Sequence, residues 1–314
     1  MQYLNKGSKP TRLGFREGLL EIAKSHLQIV GLGSDITSSV SMNLFANAFP
    51  ERFISLGIAE QNAVGVAAGM ALSGKIPFFS TYGVFAALRT TDQIRILLCY
   101  NNVHVIIGGA HAGISVGPDG ATHQALEDIA IMRVLPNMTL LSPCDANQTH
   151  LAVRAAVEQA KGPVYIRFGR EAVANFSSLE TPFEIGKAQI MKEGNDLSII
   201  ATGHMVWEAL QAAYELKNQG IEARVINIHT IKPIDKQAII TAAKETKAII
   251  TIEEHQQIGG LGSAVAEIVT QNQPIKMAIM GMPDSFGESG KPDELLMQYG
   301  MTSNHIIEKA HQLL

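Results

Sequence analysis

One acidic side chain, Glu60, is the only ionisable group between Arg52 and Lys75. It opens the stretch of small residues 60–72, and on a helix it would share its face with valine and alanine at the i+4, i+7, i+8 and i+11 positions. We expect a carboxyl group in these surroundings to be buried, with no cation beside it, and therefore to keep its proton or to bind a partner through a short hydrogen bond. Acids of this kind are typical of functional sites, although a glutamate that faces solvent at the start of a helix is equally consistent with the pattern.

The glycine-rich segment 108–124 contains two histidines, His111 and His123, together with Asp119. Glycines allow tight turns and the close approach of a ligand, and imidazoles donate hydrogen bonds or transfer protons near neutral pH. Long loops without structure of their own are uncommon unless they serve a function, so we favour a site loop over a solvated surface turn. The two histidines lack the compact spacing of metal ligands, and no metal site is predicted in this chain.

Four further side chains each have two possible interpretations. Tyr82 and Phe85 lie three residues apart, where both rings could stack on a planar heterocycle, but aromatic residues at this spacing more often belong to the core. Arg12 and Arg170 could bind phosphate oxygens through their guanidinium groups, or they could simply be solvated. Spacing alone leaves both questions open.

Short runs rich in β-branched residues alternate with longer helical patterns along the chain, which predicts α/β domains with parallel sheets. The predicted strands are His26–Gly31, Phe53–Ser55, Ile76–Phe79, Val103–Ile107, Met138–Leu141, Val164–Phe168, Leu197–Ala201, Arg224–Ile228 and Ala248–Ile252. In open parallel sheets, ligands bind beyond the carboxyl ends of the strands. The loops after these strands, including the segment 108–124, are therefore expected to form the ligand side of the sheet.

A change of pattern after Phe168 divides the chain. Turn-forming residues without a sustained period follow, and the strand and helix patterns then resume. We therefore place a domain boundary within 178–184, which gives a first domain of residues 1–180 and a second, smaller α/β domain of residues 181–314. The second domain is expected to end in two helices, which are Asp293–Tyr299 and Ser303–Leu314.

The composition is that of an ordinary globular chain. Its 314 residues are 46% hydrophobic and 17% charged, with 25 Lys and Arg against 29 Asp and Glu, a formal net charge of −4. No basic block or long apolar segment suggests a nucleic-acid or membrane partner, and the amino terminus lacks the apolar core of a signal peptide. Two cysteines, Cys99 and Cys144, make no disulfide framework, so a reducing cytoplasm is the expected location.

Taken together, several motifs closely resemble the transketolase family in their order and spacing. These motifs are Gly57–Asn62, Ser80–Tyr82 with Phe85, Gly117–Gln124 and Gly169–Glu171 in the first half, and Ile231–Asp235, Glu253–His255 with Gly259–Ser263 and Phe286–Gly290 in the second. The resemblance covers nearly the whole chain, but only the pyrimidine-binding and C-terminal domains of the family, as in the C-terminal subunits of split transketolases. Each motif alone is unspecific, whereas the combination is highly specific.

The resemblance implies thiamine diphosphate as the cofactor, bound in a cleft between a pyrimidine-binding domain and a diphosphate-binding domain that carries a Gly-Asp-Gly sequence. That sequence is absent from this chain. We therefore expect a partner chain, an N-terminal transketolase subunit, to supply the ligands of the diphosphate and of Mg²⁺, in an assembly of two copies of each chain. The implied reaction transfers a two-carbon glycolaldehyde unit from a ketose phosphate to an aldose phosphate.

The same resemblance implies which residues bind the cofactor. Glu60 matches the glutamate that forms a hydrogen bond with N1′ of the aminopyrimidine and so makes the cofactor's own amino group an internal base. Tyr82 and Phe85 match aromatic residues of the pyrimidine pocket. A third aromatic residue of the family falls at Leu88, where this sequence departs from the pattern. Asp35 matches an acid near the thiazolium side of the cofactor.

Further side chains are implied to bind the substrate. Four of them hold its phosphate group, namely Arg12, Ser39, His111 and Arg170. Asp119 matches a residue that contacts a substrate hydroxyl, and His123 matches one that contacts the reacting end of the donor and assists proton transfer. Glu60, His111 and His123 are therefore the expected catalytic residues.

Three alternatives remain open. A beta subunit of a 2-oxo acid dehydrogenase also lacks the diphosphate-binding domain and carries a similar glutamate, although the segment Asp119–His123 and the phosphate-compatible arginines argue against it. A deoxyxylulose-phosphate synthase shares more of these features but is normally one long chain. The chain could also be a catalytically silent subunit that serves assembly, which the presence of Glu60 and His123 disfavours.

Overall fold

Two main β-sheets, each flanked by helices, form the structure. The computed structural model describes residues 3–314 of the chain. Its strands are β1 (Ser8–Pro10), β2 (Ile29–Gly33), β3 (Phe53–Ser55), β4 (Ile76–Tyr82), β5 (Ile106–Ala110), β6 (Thr139–Leu141), β7 (Val164–Arg167), β8 (Ala172–Ala174), β9 (Gln189–Lys192), β10 (Leu197–Ala201), β11 (Ala223–Asn227), β12 (Thr230–Lys232), β13 (Ala248–Gln256) and β14 (Lys276–Met282).

The helices that flank these sheets are α1 (Thr11–Ser25), α2 (Asn43–Ala48), α3 (Glu60–Leu72), α4 (Thr91–Gln93), α5 (Asp128–Val134), α6 (Ala146–Glu158), α7 (Met205–Asn218), α8 (Lys236–Glu245), α9 (Leu261–Asn272), α10 (Pro292–Gln298) and α11 (Ser303–Leu313). Two π-helical segments, Phe85–Arg89 and Ile94–Tyr100, lie between β4 and β5. Two short 3₁₀ segments, Pro50–Arg52 and Ile114–Asp119, are also present.

The larger sheet has seven strands in the order β12-β6-β7-β5-β4-β2-β3, and all neighbours are parallel except β12 and β6. Strands β2, β5 and β7 are buried along their whole length. Their largely apolar sequences follow from this position, because parallel strands covered on both faces expose neither side to water. The loops after β2, β4 and β5 therefore leave the sheet at one common edge, where ligands are expected.

The smaller sheet has five strands in the order β14-β13-β10-β11-β9, and β9 is antiparallel to β11. One apolar cluster connects the two sheets, since it includes Met132 and Leu135 before the predicted boundary and Ile231, Leu261 and Val265 after it. Strand β12 also follows the boundary in sequence, yet it pairs with β6 of the larger sheet. The predicted α/β architecture with two parallel or mixed sheets is confirmed, and the division at residue 180 stays a prediction.

The two-stranded pair of β1 and β8 brings distant parts of the chain together. Its strands are antiparallel. Helix α1 begins directly after β1, and the hydroxyl of Thr11 accepts a hydrogen bond from the N–H of Gly169 at 2.7 Å. Arg12 and Arg170 each adjoin one of these two residues, so the pairing holds both arginines on the same side of the fold.

Most of the predicted strands are present, with shifts at their ends. Phe53–Ser55 and Leu197–Ala201 are found as predicted, whereas the strand predicted at Val103–Ile107 is displaced to β5. The two C-terminal helices, α10 and α11, agree with the prediction to within one residue at each end. Sequence patterns do not predict β1, β8, β9, β12 or β14, because these strands are short or partly exposed and lack a sustained apolar run or alternation.

Asp145 fixes the chain where it leaves the larger sheet. This residue is fully buried at the N-terminus of α6. Its carboxylate accepts hydrogen bonds from the N–H groups of Gln148, Phe176 and Ser177 at 2.8, 2.9 and 2.7 Å. The hydroxyl of Ser177 donates a further bond of 2.6 Å. One carboxylate thus caps α6 and anchors the segment that leads to the second sheet.

We expect Asp145→Ala to lower the free energy of unfolding by about 3 kcal/mol, because it removes a helix cap and leaves buried N–H groups unpaired. The matched control is Asp235→Ala, since Asp235 caps α8 but is half-buried and accepts two hydrogen bonds instead of four. That change should cost about 1 kcal/mol. Urea unfolding measures both values, and equal losses would contradict the anchoring role of Asp145.

Candidate active site

Glu60 is the first residue of α3, and its side chain is only 3% exposed. The burial predicted from the run of small residues is therefore confirmed. Its position at the helix N-terminus stabilises a negative charge through the helix dipole. Helix α3 packs against β4 and both π-helical segments, so the carboxyl group is enclosed by protein.

The expectation that no cation lies beside Glu60 is wrong. Arg89, the last residue of the first π-helical segment, donates a hydrogen bond from Nη1 to Oε2 of Glu60 at 2.9 Å. The expectation was based on the residues of α3, whereas the cation comes from a neighbouring segment. The buried carboxylate thus has an ion-pair partner within its own chain.

Four rings lie in one cluster beside this ion pair. The Cζ of Arg89 lies 4.0 Å from the ring centroid of Phe85. Tyr82 lies 5.6 Å from Phe85 and 4.2 Å from His111, measured between ring centroids. His123 is 5.6 Å from Tyr82 and 5.8 Å from Phe85. Since Tyr82 and Phe85 are half-buried, part of each ring is accessible to a ligand.

His111 is buried and carries no charge at neutral pH. Its burial, followed by the charges of Arg12 and Arg170, lowers its pKa to about 4. Its φ of 54° lies in the left-handed region, which residues other than glycine rarely adopt. Its Nδ1 has no hydrogen-bond partner among residues 3–314. A neutral imidazole of this kind can form a hydrogen bond with a ligand without adding a charge.

Two arginines and an aspartate form the polar end of the cluster. Arg170 donates from Nη1 to both carboxylate oxygens of Asp119 at 2.9 Å. Arg12 donates from Nη1 to the main-chain carbonyl of Ser39 at 3.1 Å. Both guanidinium groups lower the pKa of His111, so their charges act on the same position. An anion bound there would meet two cations.

The loop 108–124 is held by strand β13 of the smaller sheet. Glu254 of β13 is buried, and its carboxylate accepts a hydrogen bond from the N–H of Ser115. Gly113, at a φ of 90°, lies so close that an added Cβ would be 2.3 Å from Cδ of Glu254. Burial alone would raise the pKa of Glu254, but His204, whose Nε2 lies 3.0 Å from Oε2, holds it below its usual value.

The C-terminal end of the same loop is also fixed. Gln124 is buried and donates from Nε2 to the main-chain carbonyl of Glu288 at 2.8 Å. Gly287 lies so close to this side chain that an added Cβ would be 2.1 Å from Oε1 of Gln124. Both ends of the loop therefore depend on contacts with the second half of the chain.

Sequence reasoning does not identify Arg89, Glu254 or Gln124 as members of the site. Each of them contacts a residue far away in sequence, and no local pattern predicts such contacts. The sequence feature that could have pointed to Glu254 as a site residue is its place in the motif Glu253–His255. For Arg89, the signal is a separation of four residues from Phe85, which lets both side chains meet on a helix.

The structure brings most of the predicted site residues together. The connected group contains Tyr82, Phe85, His111, His123, Arg12, Ser39, Asp119 and Arg170, and Glu60 joins it through Arg89. Asp35 is exposed in the turn after β2, and no hydrogen bond joins it to this group within residues 3–314. Leu88, which stands where the family has a third aromatic residue, is 47% exposed.

The surface formed by α3 and the two π-helical segments carries several exposed apolar side chains. Those on or beside α3 and the two π-helical segments are Ile58, Leu72, Leu88, Ile96 and Tyr100. Because α3 packs against both segments, these side chains belong to adjoining parts of the surface. Exposed apolar surface of this kind is typical of a protein interface.

The acidic residues of the site face cations instead of each other. Glu60 is paired with Arg89, and Asp119 is paired with Arg170. Among residues 3–314, no group of three or more His, Cys, Asp or Glu side chains is placed to hold a metal ion.

Within the same range, none of the helices is long and apolar enough to cross a membrane.

Comparison with known families agrees with this fold. The family model for the transketolase pyrimidine-binding domain matches residues 8–175, and the model for the transketolase C-terminal domain matches residues 186–306. The two matches define a protein built from a pyrimidine-binding domain followed by a C-terminal α/β domain. The chain belongs to the transketolase family.

The chain is similar to the C-terminal chains of split transketolases. It is 45% identical to a putative transketolase C-terminal section of Methanocaldococcus jannaschii, over 96% of this chain and 95% of that one. It is 42% identical to a 6-deoxy-6-sulfo-D-fructose transketolase subunit of a Clostridium species, over 94% and 91% of the two chains. A solved split-gene transketolase, described as an inactive β4 tetramer, has a TM-score of 0.91 at 46% identity and covers 97% of this chain and 98% of its own.

Membership of the transketolase family implies the use of thiamine diphosphate, and the residues of this chain fit one end of that cofactor. A buried carboxylate, Glu60, beside half-buried aromatic rings suits a planar ring with an N–H donor at its edge. For the metal ion that accompanies the diphosphate, residues 3–314 contain no group of three or more His, Cys, Asp or Glu side chains placed to hold it. The described site therefore fits the pyrimidine end.

His111 should make the protein less stable as the pH falls from about 6.5 to about 4. Its pKa is about 4 in the folded chain and about 6.5 in the unfolded chain, so the unfolded chain binds more protons in this window and the free energy of unfolding rises with pH. His111→Gln should flatten this rise by up to about 1.4 kcal/mol per pH unit. Urea unfolding at several pH values across the window measures the slope.

The matched control for this experiment is His311→Gln, which removes an exposed imidazole of α11 outside the cluster. Part of the slope should remain in His111→Gln, because burial lowers the pKa of His229 to about 4 as well. A slope identical to that of the unchanged protein would show that His111 is not held neutral.

Proposed function

We propose that this chain is the pyrimidine-binding subunit of a two-chain transketolase. Together with a partner that binds the diphosphate, it would transfer a two-carbon glycolaldehyde unit from a ketose phosphate to an aldose phosphate with thiamine diphosphate as cofactor. The observation that carries the proposal is the buried carboxylate of Glu60 beside the half-buried rings of Tyr82 and Phe85. These groups suit an aminopyrimidine in shape and in hydrogen bonding.

Glu60 would act by fixing one proton on the cofactor. Bound thiamine diphosphate supplies the nucleophilic carbon and an amino group that can serve as its internal base. The carboxylate of Glu60 would accept a hydrogen bond from the pyrimidine N1′ and so favour the tautomer in which that amino group can take up a proton. Because Glu60 is 3% exposed, water competes little for this bond and the low local dielectric strengthens it.

His111 and His123 are the proposed catalytic partners at the substrate end. With its pKa lowered to about 4, His111 is neutral at pH 7 and would form a hydrogen bond with a substrate oxygen instead of supplying a charge. The Nδ1 of His123 lies 2.9 Å from the hydroxyl of Thr122, which leaves its Nε2 for proton exchange with the donor. Asp35 is proposed to lie on the thiazolium side.

The anionic end of the substrate is proposed to bind between Arg12 and Arg170, with Ser39 and His111 beside it. A guanidinium binds tetrahedral anions through paired N–H groups, so both a phosphate and a sulfonate would fit. The Clostridium relative is named for a sulfonated sugar, which makes a sulfonated donor the second choice after a ketose phosphate. Asp119 would contact a substrate hydroxyl.

The diphosphate-binding partner is proposed to cover the exposed apolar surface of α3 and the two π-helical segments. That surface includes Ile58, Leu72 and Leu88, which would lose contact with water on assembly. The partner would also supply the ligands of Mg²⁺, in an assembly of two copies of each chain located in the cytoplasm. The relative described as an inactive β4 tetramer supports the view that a chain of this type is inactive without a partner.

The alternatives raised by the sequence have less support. The relatives described above are named as transketolases and not as 2-oxo acid dehydrogenases. A silent assembly subunit would have no need for rings that remain accessible beside the paired carboxylate of Glu60. Both alternatives predict different outcomes in a reconstitution experiment.

The chain alone should show no glycolaldehyde transfer, because the diphosphate and metal ligands would be missing. Adding the N-terminal partner, thiamine diphosphate and Mg²⁺ should produce transfer between ketose phosphate donors and aldose phosphate acceptors, measured by chromatography of the products. Full activity of the isolated chain would contradict the split-subunit proposal. Decarboxylation of 2-oxo acids in place of transfer would favour the dehydrogenase alternative.

The role of Glu60 is tested in the reconstituted assembly with Glu60→Gln, which keeps the size of the side chain but removes its negative charge. Turnover should fall by about 100-fold or more, as for the loss of other preorganised electrostatic contacts in active sites. Circular dichroism should show an unchanged fold. A turnover close to that of the unchanged protein would remove Glu60 from the mechanism.

Arg170→Ala should raise KM for phosphorylated donors about tenfold or more and change KM for unphosphorylated sugars little, because it removes a guanidinium from the anion site. The matched control is Arg154→Ala, since Arg154 is similarly exposed but pairs with Glu21 and Glu158 on α1 and α6. Steady-state kinetics with both classes of donor measures the effect. Equal changes for the two classes would reject the anion-binding role.

A further inference from the structure

The guanidinium group of Arg89 makes two contacts at the same time. Its Nη1 donates to Oε2 of Glu60 at 2.9 Å, and its Cζ lies 4.0 Å from the ring centroid of Phe85. The main-chain carbonyl of Arg89 accepts a hydrogen bond from Nε2 of Gln61 at 3.0 Å. The end of the first π-helical segment is thereby tied to the start of α3, and the side chain of Arg89 lies between an acid and an aromatic face.

A guanidinium and an N1′-protonated aminopyrimidine present the same features to a protein. Each is planar, donates N–H hydrogen bonds at its edge and offers a π face for stacking. A carboxylate at the edge and an aromatic ring under the face therefore suit both groups. Because Glu60 and Phe85 contact one and the same guanidinium, the two elements that would recognise a pyrimidine are already engaged by the chain itself.

We propose that Arg89 occupies the pyrimidine subsite of the free chain and has to leave it before the cofactor can bind. This inference rests on the proposed function, since it takes the ligand of Glu60 and Phe85 to be the pyrimidine of thiamine diphosphate. It makes Arg89 a determinant of cofactor affinity that acts by competition. In the exchange, the N–H donor of Arg89 to Glu60 would be replaced by the N–H of the pyrimidine N1′, and the proton on N1′ would be taken up from solvent as the cofactor binds.

Arg89 is the member of the ion pair that is able to move. Its side chain is 42% exposed and lies at the end of the π-helical segment, whereas that of Glu60 is 3% exposed and starts a helix. The guanidinium can therefore turn into solvent without disturbing the core. While it is in place, it compensates the buried carboxylate, which would otherwise destabilise the free chain.

Competition of this kind lowers the apparent affinity for the cofactor by the fraction of molecules in which the subsite is open. If the guanidinium leaves the subsite in about one molecule in ten, removing it should tighten binding about tenfold. A residue that only supports the site would have the opposite effect, because its removal would loosen Glu60 and weaken binding. The sign of the change thus separates the two roles.

The test uses the assembly of this chain with its diphosphate-binding partner and Mg²⁺. Titration calorimetry should give a Kd for thiamine diphosphate that is about tenfold lower in Arg89→Ala than in the unchanged protein. Arg89→Met, which keeps an apolar stem over Phe85, is the second variant in case Arg89→Ala folds poorly. The control is Arg154→Ala, whose side chain is 41% exposed and lies on α6, and its Kd should be unchanged.

Two further measurements complete the test. The isolated chain should unfold at a lower temperature in both Arg89 variants, because Glu60 loses its partner. A structure of the loaded assembly should show the guanidinium separated from Glu60. An Arg89–Glu60 pair that persists beside bound cofactor, or a Kd that is unchanged or higher in both variants, would overturn the competition while leaving the proposed function intact. Failure of the unchanged assembly to bind thiamine diphosphate would instead overturn the proposed function, and this inference with it.

Discussion

Burial of the Glu60 carboxylate is the interaction on which the rest of the site depends. A carboxylate removed from water requires a cation, N–H donors or a proton. In this chain the helix start of α3 and the guanidinium of Arg89, at 2.9 Å, meet that requirement. The small residues after Glu60 let α3 lie against β4 and the π-helical segments, while apolar side chains near the start of α3, such as Ile58, remain exposed. The buried ion pair and an exposed apolar surface therefore adjoin each other.

The second half of the chain contributes to the site through buried polar contacts. Arg167 at the end of β7 is paired with Asp128 at 2.9 Å and donates to the main-chain carbonyl of Glu254 at 2.7 Å. The carboxylate of Glu254 in turn holds the N–H of Ser115 in the site loop and is paired with His204. Buried ion pairs contribute little net stability, but removing one partner is costly, so such a network specifies one arrangement of the two sheets. The geometry of the loop that carries the substrate residues is therefore set from both sheets.

Features that arise from neighbouring residues can be predicted from local periodicity in the sequence. Examples are strand β10 and the burial of Glu60. Contacts between distant segments do not follow from local patterns. Arg89 is 29 residues away from Glu60, and Glu254 is 139 residues away from Ser115. Strand β12 joins the larger sheet because a tertiary contact overrides its position in the second half. The candidate site residues could nevertheless be named, because the order of several motifs carries information that no single spacing contains.

Charges in the candidate site are sorted along its length. Glu60 and Arg89 lie at one end, Arg12 and Arg170 lie at the other, and the aromatic rings separate them. His111 lies at the end with two cations and is neutral, because burial and those cations disfavour its protonated form and lower its pKa to about 4. An anion bound between the arginines would offset their charge and make protonation of His111 easier. Anion binding and protonation of His111 are thermodynamically linked, and the linkage is reciprocal. Protonation of His111 would therefore strengthen anion binding by the same factor. A substrate whose anionic group reaches the arginines would therefore raise the pKa of His111 toward its usual value, and a substrate without that group would not.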